Sequence, residues 1–343
     1  MKLLILGLLL LSGTSFGNTF YPSNLLQMDS YFTHHVLVVE KSTHRLFLYE
    51  NDQGYPKLVK SYQIATGKKA GNKLIQGDYK TPEGVYEFLE FLPHKTLVKR
   101  HGEQGKIYGV GAFVMDYPNP IDRMKNKSGG GIWLHSTNDE TRIEKGLDSR
   151  GCVVAGNKDL IDLSQYIELH KTHIVVVDQK NYTDQSSHQT QKLKLEKFLE
   201  EWRTSWVDEN FRKYISHYHN EHFRDPIRGE IQSFSSYKKR IFSIPGKPEV
   251  RLTNIAMLLS GNSAKVTFKQ HYKSNTINDV GRKVLYLVKD QNYKWKIIEE
   301  RWSKLKDHEN QDVPPIAFRP SMRFFDSYEV DKTIFKTTQK SNN

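Results

Sequence analysis

The chain has 343 residues, enough for about two domains, and a formal charge of +12. A basic surface favours polyanionic neighbours such as nucleic acid, anionic lipid headgroups or wall polymers, without choosing among them. The single cysteine excludes a disulfide within the chain. After the first residues no apolar stretch is long enough to span a membrane, so we expect no stable membrane insertion.

Residues 1–17 have the three parts of a secretory signal peptide. A basic start precedes an apolar run at 3–11, and small residues allow cleavage after Gly17. The apolar run is too short to cross the ~30 Å of hydrocarbon in a bilayer. We therefore expect export to the periplasm.

Residues 34–180 predict a domain built mostly from short β-strands, preceded by an N-terminal arm at 18–33. Apolar runs bounded by turn residues mark the strands, and one amphipathic helix is predicted at 158–169. The strands are predicted at 36–40, 45–49, 57–66, 106–116, 131–135 and 173–177, with another after the Thr-Pro-Glu-Gly turn at 81–84. Many strands with little helix favour a β-sandwich or barrel over a doubly wound sheet.

A polar stretch at 181–192, rich in Ser, Thr and Gln, predicts a linker to a second domain at 193–305. An amphipathic helix over 193–206 and a second helix over 208–222 come first. Four alternating runs then predict consecutive antiparallel strands, so the second domain is expected to be α+β. Residues 306–343 are predicted to be a polar tail.

The residues that predict chemistry are His135, at the end of an apolar strand, and Cys152, in a Ser-x-Gly-Cys turn before another. Their separation of 17 residues suits two neighbouring strands or turns joined by a loop. A free thiol has a pKa near ~8.5 and needs an adjacent base to attack at neutral pH. Either residue alone is equally well explained as part of the core. Together they predict a nucleophile and its base.

The predicted turn and the residue after the histidine supply further candidates. Gly151 lets the backbone approach closely, so its N–H and that of Cys152 are candidates to bind an oxyanion. Arg150 is a candidate cation near the thiolate, and Ser149 belongs to the same candidate substrate-binding turn. The carbonyl of Ser136 is the candidate acceptor that orients the histidine.

The His…Ser-x-Gly-Cys arrangement resembles the L,D-transpeptidase family of peptidoglycan enzymes. The resemblance covers about residues 34–178 and includes GDYKTPEGVYEF at 77–88, a form of the family's Gly-Asp-x-x-Thr-Pro-x-Gly strand entry. It implies a mostly β catalytic domain with no metal or organic cofactor. It also implies that a thiolate attacks the diamino acid carbonyl of a tetrapeptide stem and expels D-alanine. The acyl group then passes to an amine or to water.

Carried over to this chain, the resemblance makes Cys152 the nucleophile, His135 the general base and the Ser136 carbonyl its orienter. Tyr117, which lies 18 residues before the histidine, matches the family's tyrosine over the substrate. Many members have Gly in place of Ser136, a change that a carbonyl role survives.

One departure from the family pattern concerns the substrate carboxylate. Many members have an Arg shortly after the cysteine, whereas Val153 follows it here. Arg150 and the loop residues Arg123 and Arg142 are therefore the candidates to bind that carboxylate.

Residues 193–305 are similar to the nuclear-transport-factor-like cone, a curved sheet with helices around a pocket. A transpeptidase-like domain followed by such a cone resembles the cell-shape L,D-carboxypeptidases. Cross-linking and trimming of stems thus both stay open. We expect peptidoglycan stem peptides as partners and no nucleic acid. The arm at 18–33 is a candidate for exchange in a homodimer.

Other functions fit parts of the sequence. An inert thiol would leave a wall-binding or scaffolding protein that relies on the basic surface and the cone. A sortase-like transpeptidase shares the order His before Cys, but the next Arg after the cysteine is Arg203, in the other domain. Three histidines, His217, His219 and His222, lie close in sequence, but we expect surface and packing roles for them and no metal site.

Overall fold

The computed structural model describes residues 19–306 and 318–325. The predicted signal peptide, residues 1–17, lies outside these ranges, as do residues 307–317 and 326–343 of the predicted tail. No helix within the described residues is long and apolar enough to cross a membrane.

Short strands with many β-branched residues dominate the first domain. Two strands lie in the N-terminal arm, β1 (Phe20–Pro22) and β2 (Leu25–Gln27). The domain itself contains β3 (His35–Glu40), β4 (Arg45–Asp52), β5 (Tyr55–Gly67), β6 (Gly84–Pro93), β7 (Gly111–Met115), β8 (Trp133–His135), β9 (Leu147–Ser149), β10 (Val153–Ala155) and β11 (His173–Val177). Its helices are α1 (His94–His101), a 3₁₀ helix (Gly102–Tyr108), α2 (Pro120–Met124), α3 (Thr141–Glu144) and α4 (Asn157–Ser164).

Strands β3 to β11 form one sheet that closes on itself. The strand order is β10-β8-β7-β6-β11-β3-β4-β5-β9, and β10 also pairs with β5. The long strand β5 makes this closure because it first pairs with β4 and then brings Ile64 and Ala65 opposite β10. The predicted mostly β domain is therefore confirmed, in a barrel-like form.

Strand β3 shows why the core residues alternate. Leu37 and Val39 point into the main core of the barrel. Val36 and Val38 point the other way and share a second cluster with Leu258 of the second domain. Because both faces are covered, β3 has a continuous apolar sequence.

The second domain has helices followed by a meander of antiparallel strands, as predicted. Its helices are α5 (Gln185–Val207), α6 (Phe211–Ile215) and α7 (Ile231–Ile241). Its strands are β12 (Tyr182–Asp184), β13 (Arg224–Asp225), β14 (Gly229–Glu230), β15 (Glu249–Ser260), β16 (Ser263–Lys273), β17 (Asn278–Lys289) and β18 (Trp295–Lys304). The main sheet has the order β18-β17-β16-β15-β2, so the N-terminal arm supplies its fifth strand.

The N-terminal arm and the predicted linker are both part of the folded structure. Strand β1 pairs with β12, and β2 pairs with β15. The linker prediction for 181–192 is wrong, because helix α5 begins at Gln185 and is capped by the Asp184 side chain. Its first turns are mostly exposed, which explains their polar sequence, and only His188 is buried there. The arm thus pairs within its own chain, and its exchange between two copies stays a prediction.

Glycines explain one further difference between prediction and structure. The strand predicted over 106–116 is confined to Gly111–Met115, because the residues before it form the 3₁₀ helix. Gly109, which directly follows that helix, has a φ of 56°, which does not fit a regular strand. Helices α1 and α7 were not predicted, and the helix expected over 208–222 is reduced to α6.

Buried ion pairs join the two domains. Glu87 of β6 accepts hydrogen bonds from Lys265 and Arg282 of the second domain, each at 2.9 Å. Burial opposes ionisation of Glu87, but these two cations hold the pKa of its carboxyl well below the usual range. Arg123 of α2 also pairs with Glu299 at 2.9 Å. The contact between the domains is therefore partly electrostatic.

Candidate active site

Parallel pairing of β8 with β10 places the segments that carry the predicted catalytic residues side by side. Val153 lies opposite Leu134, and Val154 lies opposite His135. His135 ends β8, and Cys152 directly precedes β10. The 17-residue separation in sequence thus becomes a contact between two adjacent strands, as predicted.

Cys152 is half-buried, and its sulfur faces backbone groups of the segment before β8. The thiol lies 3.5 Å from the carbonyl oxygen of Gly131, which can accept its proton in a hydrogen bond. The backbone N–H of Trp133 donates to the sulfur. A donor aimed at sulfur favours the thiolate, so this contact prepares the sulfur for negative charge.

The turn before the sulfur is held by Ser149. Its hydroxyl accepts a hydrogen bond from the N–H of Gly151 at 3.0 Å and donates to the carbonyl of Cys152 at 2.6 Å. The Gly151 N–H is therefore already paired with Ser149, and its assignment to an oxyanion stays a prediction. The N–H of Cys152 is the other oxyanion donor that the sequence analysis considered. Gly151 has a φ of +129° and lies against the Lys80 carbonyl, so only glycine fits without strain.

His135 is almost fully buried and held by one hydrogen bond. Its Nδ1 lies 2.5 Å from the carbonyl oxygen of Ser136, as the sequence predicted for an orienting acceptor. A carbonyl can only accept, so Nδ1 carries the proton and Nε2 keeps its lone pair in the neutral ring. Among the described residues no hydrogen bond uses Nε2. This nitrogen can therefore act as a base.

The side chain of Ser136 ties this carbonyl to the chain that precedes β7. Its hydroxyl accepts from the N–H of Val110 at 2.7 Å and donates to the Tyr108 carbonyl at 3.2 Å. Asn157 reinforces the same corner, since its amide donates to the Thr137 carbonyl at 2.8 Å. The sequence analysis considered only the Ser136 carbonyl. It gave no sign of the hydroxyl's contacts, because they join segments that are far apart in the chain.

An aromatic wall covers the imidazole. The ring of Tyr108 meets His135 edge-on at 4.9 Å and lies 4.9 Å from Trp133. Tyr108 was missed in the sequence because the 3₁₀ helix that carries it was taken for a strand. Tyr117 is only 6% exposed, and its hydroxyl donates to the Ser128 carbonyl at 3.1 Å. It packs in the barrel core, and a role in covering the substrate stays a prediction.

Two cations act on the sulfur. Arg142 and Lys73 both lower the pKa of Cys152. Arg142 pairs with Asp148 and also donates to the Ile107 carbonyl at 3.2 Å. Lys73 is buried against Asp78 at 2.8 Å. Both are therefore fixed in place by acidic partners.

Arg150 and Arg123, the other two candidates to bind the substrate carboxylate, have different surroundings from Arg142. Arg150, one residue before Gly151, is exposed. Arg123 is occupied by the Pro118 carbonyl and by Glu299 across the domain contact. Its guanidinium thus serves the interface, and a role for Arg123 in binding the substrate carboxylate stays a prediction.

The electrostatics of the site keep both reacting groups neutral at rest. Burial raises the pKa of the Cys152 thiol to about 11, and the Trp133 N–H and the two cations offset only part of this. Burial lowers the pKa of His135 to about 4, against the opposing effect of the Ser136 carbonyl. At neutral pH a thiol thus faces an uncharged imidazole.

A separate, open cavity of about 800 Å³ lies mostly in the second domain, and Glu87 and Arg123 of the first domain also line it. Lys238 lies in it over the rings of Trp206 and Phe234, and burial lowers its pKa to about 8. Glu300 lies 3.9 Å from Lys238 and accepts from Lys283 at 2.9 Å. The pocket expected inside the cone is therefore present and charged.

The clustered histidines His217, His219 and His222 of the second domain make local contacts. The His219 and His222 rings lie 4.6 Å apart, and His217 faces the Lys213 carbonyl at 2.8 Å. Across residues 19–306 and 318–325, no group of three or more His, Cys, Asp or Glu side chains could hold a metal ion.

Comparison with known proteins agrees with this geometry. The family model of the L,D-transpeptidase catalytic domain (YkuD) matches residues 34–177. The solved structure of Bd1075 from Bdellovibrio bacteriovorus is 31% identical and has a TM-score of 0.73; the match covers 84% of this chain and all of that one. The chain belongs to the L,D-transpeptidase family. Its second domain, at residues 194–301, matches the model of the Cds6 C-terminal NTF2-like domain.

A second solved structure is similar to most of the chain. Pgp2 from Campylobacter jejuni, described as a helical cell shape determining protein, is 25% identical with a TM-score of 0.63. The match covers 81% of this chain and 95% of Pgp2. None of the curated proteins compared with the chain matches it significantly. Both predicted domain types, the transpeptidase-like barrel and the NTF2-like cone, are confirmed.

Proposed function

We propose that this protein is a peptidoglycan L,D-transpeptidase or L,D-carboxypeptidase that acts through a thioester on Cys152. Its family membership supports the reaction class. The observation that carries the assignment of residues is the parallel pairing of β8 with β10, which holds His135 beside the segment of Cys152. The proposed substrate is a tetrapeptide stem, cleaved between its diamino acid and the terminal D-alanine.

Activation of the thiol follows from the neutral resting state. Because the pKa of Cys152 is about 11 and that of His135 about 4, a preformed thiolate–imidazolium pair is disfavoured. The proton of the thiol therefore moves to Nε2 of His135 as the sulfur attacks. The Trp133 N–H, Arg142 and Lys73 favour the negative charge that develops on sulfur.

The first half-reaction forms the acyl-enzyme. The sulfur forms a C–S bond to the carbonyl carbon of the diamino acid, and the carbonyl oxygen becomes an oxyanion. We assign the N–H of Cys152 as one donor to that oxyanion. When the intermediate collapses, the C–N bond breaks and His135 gives its proton to the amine of the leaving D-alanine.

The second half-reaction decides the product. An amine of a neighbouring stem or a water molecule loses its proton to His135, attacks the thioester and releases the thiol. The amine gives a cross-link, and water gives a tripeptide stem. The similarity to the cell shape determining protein of C. jejuni supports a role in cell shape. The predicted signal peptide at residues 1–17 supports a periplasmic site of action.

The test is release of D-alanine from soluble tetrapeptide stems by wild type and by Cys152→Ala, followed by mass spectrometry of the muropeptides. Wild type should release D-alanine, and the variant should release none while keeping the wild-type circular dichroism spectrum. Tripeptides would identify a carboxypeptidase and new dimers a transpeptidase. Full release by Cys152→Ala would overturn the proposal. Release by neither protein would favour the alternative of an inert wall-binding scaffold.

A further inference from the structure

A second groove lies on the surface of the C-terminal domain, between the first half of α5 and the hairpin that joins β17 to β18. Its volume is about 770 Å³, and we call it the α5 groove. One wall is a single helix face, where Gln191, Lys194 and Phe198 recur at helical spacing. The other wall is the hairpin, at 293–296. The groove contains none of the residues placed in the active site above.

The α5 groove has a strong excess of positive charge. Glu201 is its one acidic lining residue, and the lysines that line it are Lys194, Lys197, Lys289, Lys294 and Lys296. Asp290, at the base of the hairpin, offsets part of the charge of two of them. An excess of lysines within one concave surface attracts anions more strongly than the same charges spread over the protein.

Most of these lysines are held in place, and two point into solvent. Lys197 lies 4.0 Å from Glu201, Lys289 lies over the Trp295 ring, and Lys296 donates to the Ser216 carbonyl. Lys194 and Lys294 are exposed. No side-chain hydrogen bond or ion pair within residues 19–306 uses either of them. These two ammonium groups are therefore available to a ligand.

Aromatic and apolar side chains accompany the lysines. Tyr293 is 77% exposed at the tip of the hairpin, so its ring is accessible for stacking against a ligand. Trp295 is partly exposed, whereas Leu26, Phe198 and Leu259, which also line the groove, are almost fully buried. A groove that combines cations with aromatic rings suits a ligand that has both carboxylates and flat apolar faces, such as sugar rings joined to acidic peptides.

We propose that the α5 groove binds a carboxylate-bearing glycopeptide polymer of the cell wall and holds it while a stem of the same polymer reaches Cys152. A groove suits an extended chain, whereas a flat bilayer would meet only the exposed edges of its walls. The choice of a wall glycopeptide as the polymer rests on the proposed function. The inference that the α5 groove binds a polyanion does not depend on the proposed function.

The test measures binding of the full chain to purified, insoluble peptidoglycan sacculi by co-sedimentation over a range of salt concentrations. The groove variant is Lys194→Glu/Lys294→Glu. The matched control is Lys239→Glu/Lys247→Glu, which has the same charge change at exposed positions of the same domain outside the groove. Tyr293→Ala tests the aromatic contribution without a change of charge.

We expect the groove variant to bind sacculi at least about tenfold more weakly than the control, and wild-type binding to weaken as salt rises. Tyr293→Ala should also bind more weakly than wild type. All variants should release D-alanine from soluble stems at the wild-type rate, so failure of the groove is distinguishable from failure of the active site. Equal binding by groove variant and control would overturn the proposal. So would wild-type binding to vesicles of anionic phospholipid but not to sacculi.

Discussion

The Nδ1 atom of His135 donates a hydrogen bond to the carbonyl oxygen of Ser136, 2.5 Å away. This contact fixes the tautomer of the imidazole and directs Nε2 away from the backbone. Because the acceptor is a backbone group, the side chain of Ser136 can make separate hydrogen bonds. The Ser136 hydroxyl donates a hydrogen bond to the Tyr108 carbonyl and thereby fixes the segment that carries Tyr108.

Replacing Ser136 with Ala should separate the contribution of its backbone carbonyl from that of its hydroxyl. The carbonyl remains, so D-alanine release should stay within about threefold of wild type. The lost hydroxyl leaves the Val110 N–H with only a longer contact to Asn157 at 3.3 Å, so the free energy of unfolding should fall by ~1–2 kcal/mol. Urea denaturation measures this change. Ser164→Ala, which removes a local bond to the Ile161 carbonyl, is the matched control. Abolished release by a folded Ser136→Ala would mean that the hydroxyl itself takes part in the reaction.

The reactivity of Cys152 should depend on pH in a way that reports the neutral resting state. A thiol whose pKa is raised to about 11 is protonated at neutral pH, and its thiolate fraction increases with pH far beyond the ordinary ~8.5. Alkylation by iodoacetamide should therefore still accelerate between pH 9 and about pH 11. Because the chain has one cysteine, the rate reports this thiol alone. The urea-unfolded chain is the reference, and a rate already on a plateau at pH 7 in the folded protein would indicate a preformed ion pair.

The turn at Gly151 should tolerate no side chain. A Cβ at this position would lie 2.8 Å from the Lys80 carbonyl oxygen, at a φ of +129°. Gly151→Ala should cost ~1–3 kcal/mol of folding free energy. It should also lower D-alanine release by at least about tenfold, because the sulfur and the Cys152 N–H move. In Gly130→Ala the new methyl has nothing within 4 Å, so this variant should behave as wild type. Equal effects of the two substitutions would contradict the geometry of the turn.

The domain contact should depend on Glu87. Glu87→Gln removes the charge that balances buried Lys265 and Arg282, so unfolding should become easier by about 3–5 kcal/mol. Glu90, on the same strand, is half-exposed and lies 3.4 Å from Arg100, so Glu90→Gln should cost less than about 1 kcal/mol. Thermal and urea unfolding would measure both. A difference near zero would mean that the Glu87 ion pairs contribute little to the contact between the domains.

Local patterns predicted the strands well, because alternation and β-branched residues are local properties. β11 was predicted at its observed bounds, 173–177. The sequence also predicted that His135 and Cys152 lie on two neighbouring strands or turns, although not that β8 and β10 pair in parallel. The predicted strand over 106–116 was partly wrong, because apolar residues in a short glycine-flanked helix have the same spacing.

Contacts between distant segments could not be predicted in this way. Strand β2 pairs with β15, more than two hundred residues away, and no periodicity in either strand encodes that partner. The same limit explains why the contacts of the Ser136 hydroxyl were missed, and why the ion pair of Arg123 was not foreseen. Its partner, Glu299, belongs to the other domain.

The central claim is that Cys152 becomes nucleophilic through His135. The most direct measurement is the rate of acylation by a carbapenem, followed by intact-protein mass spectrometry on wild type, His135→Ala and Cys152→Ala. Wild type should gain one adduct, Cys152→Ala none, and His135→Ala should react at least about a hundredfold more slowly while remaining folded. An adduct that forms in His135→Ala at the wild-type rate, or on Cys152→Ala at all, would contradict the account.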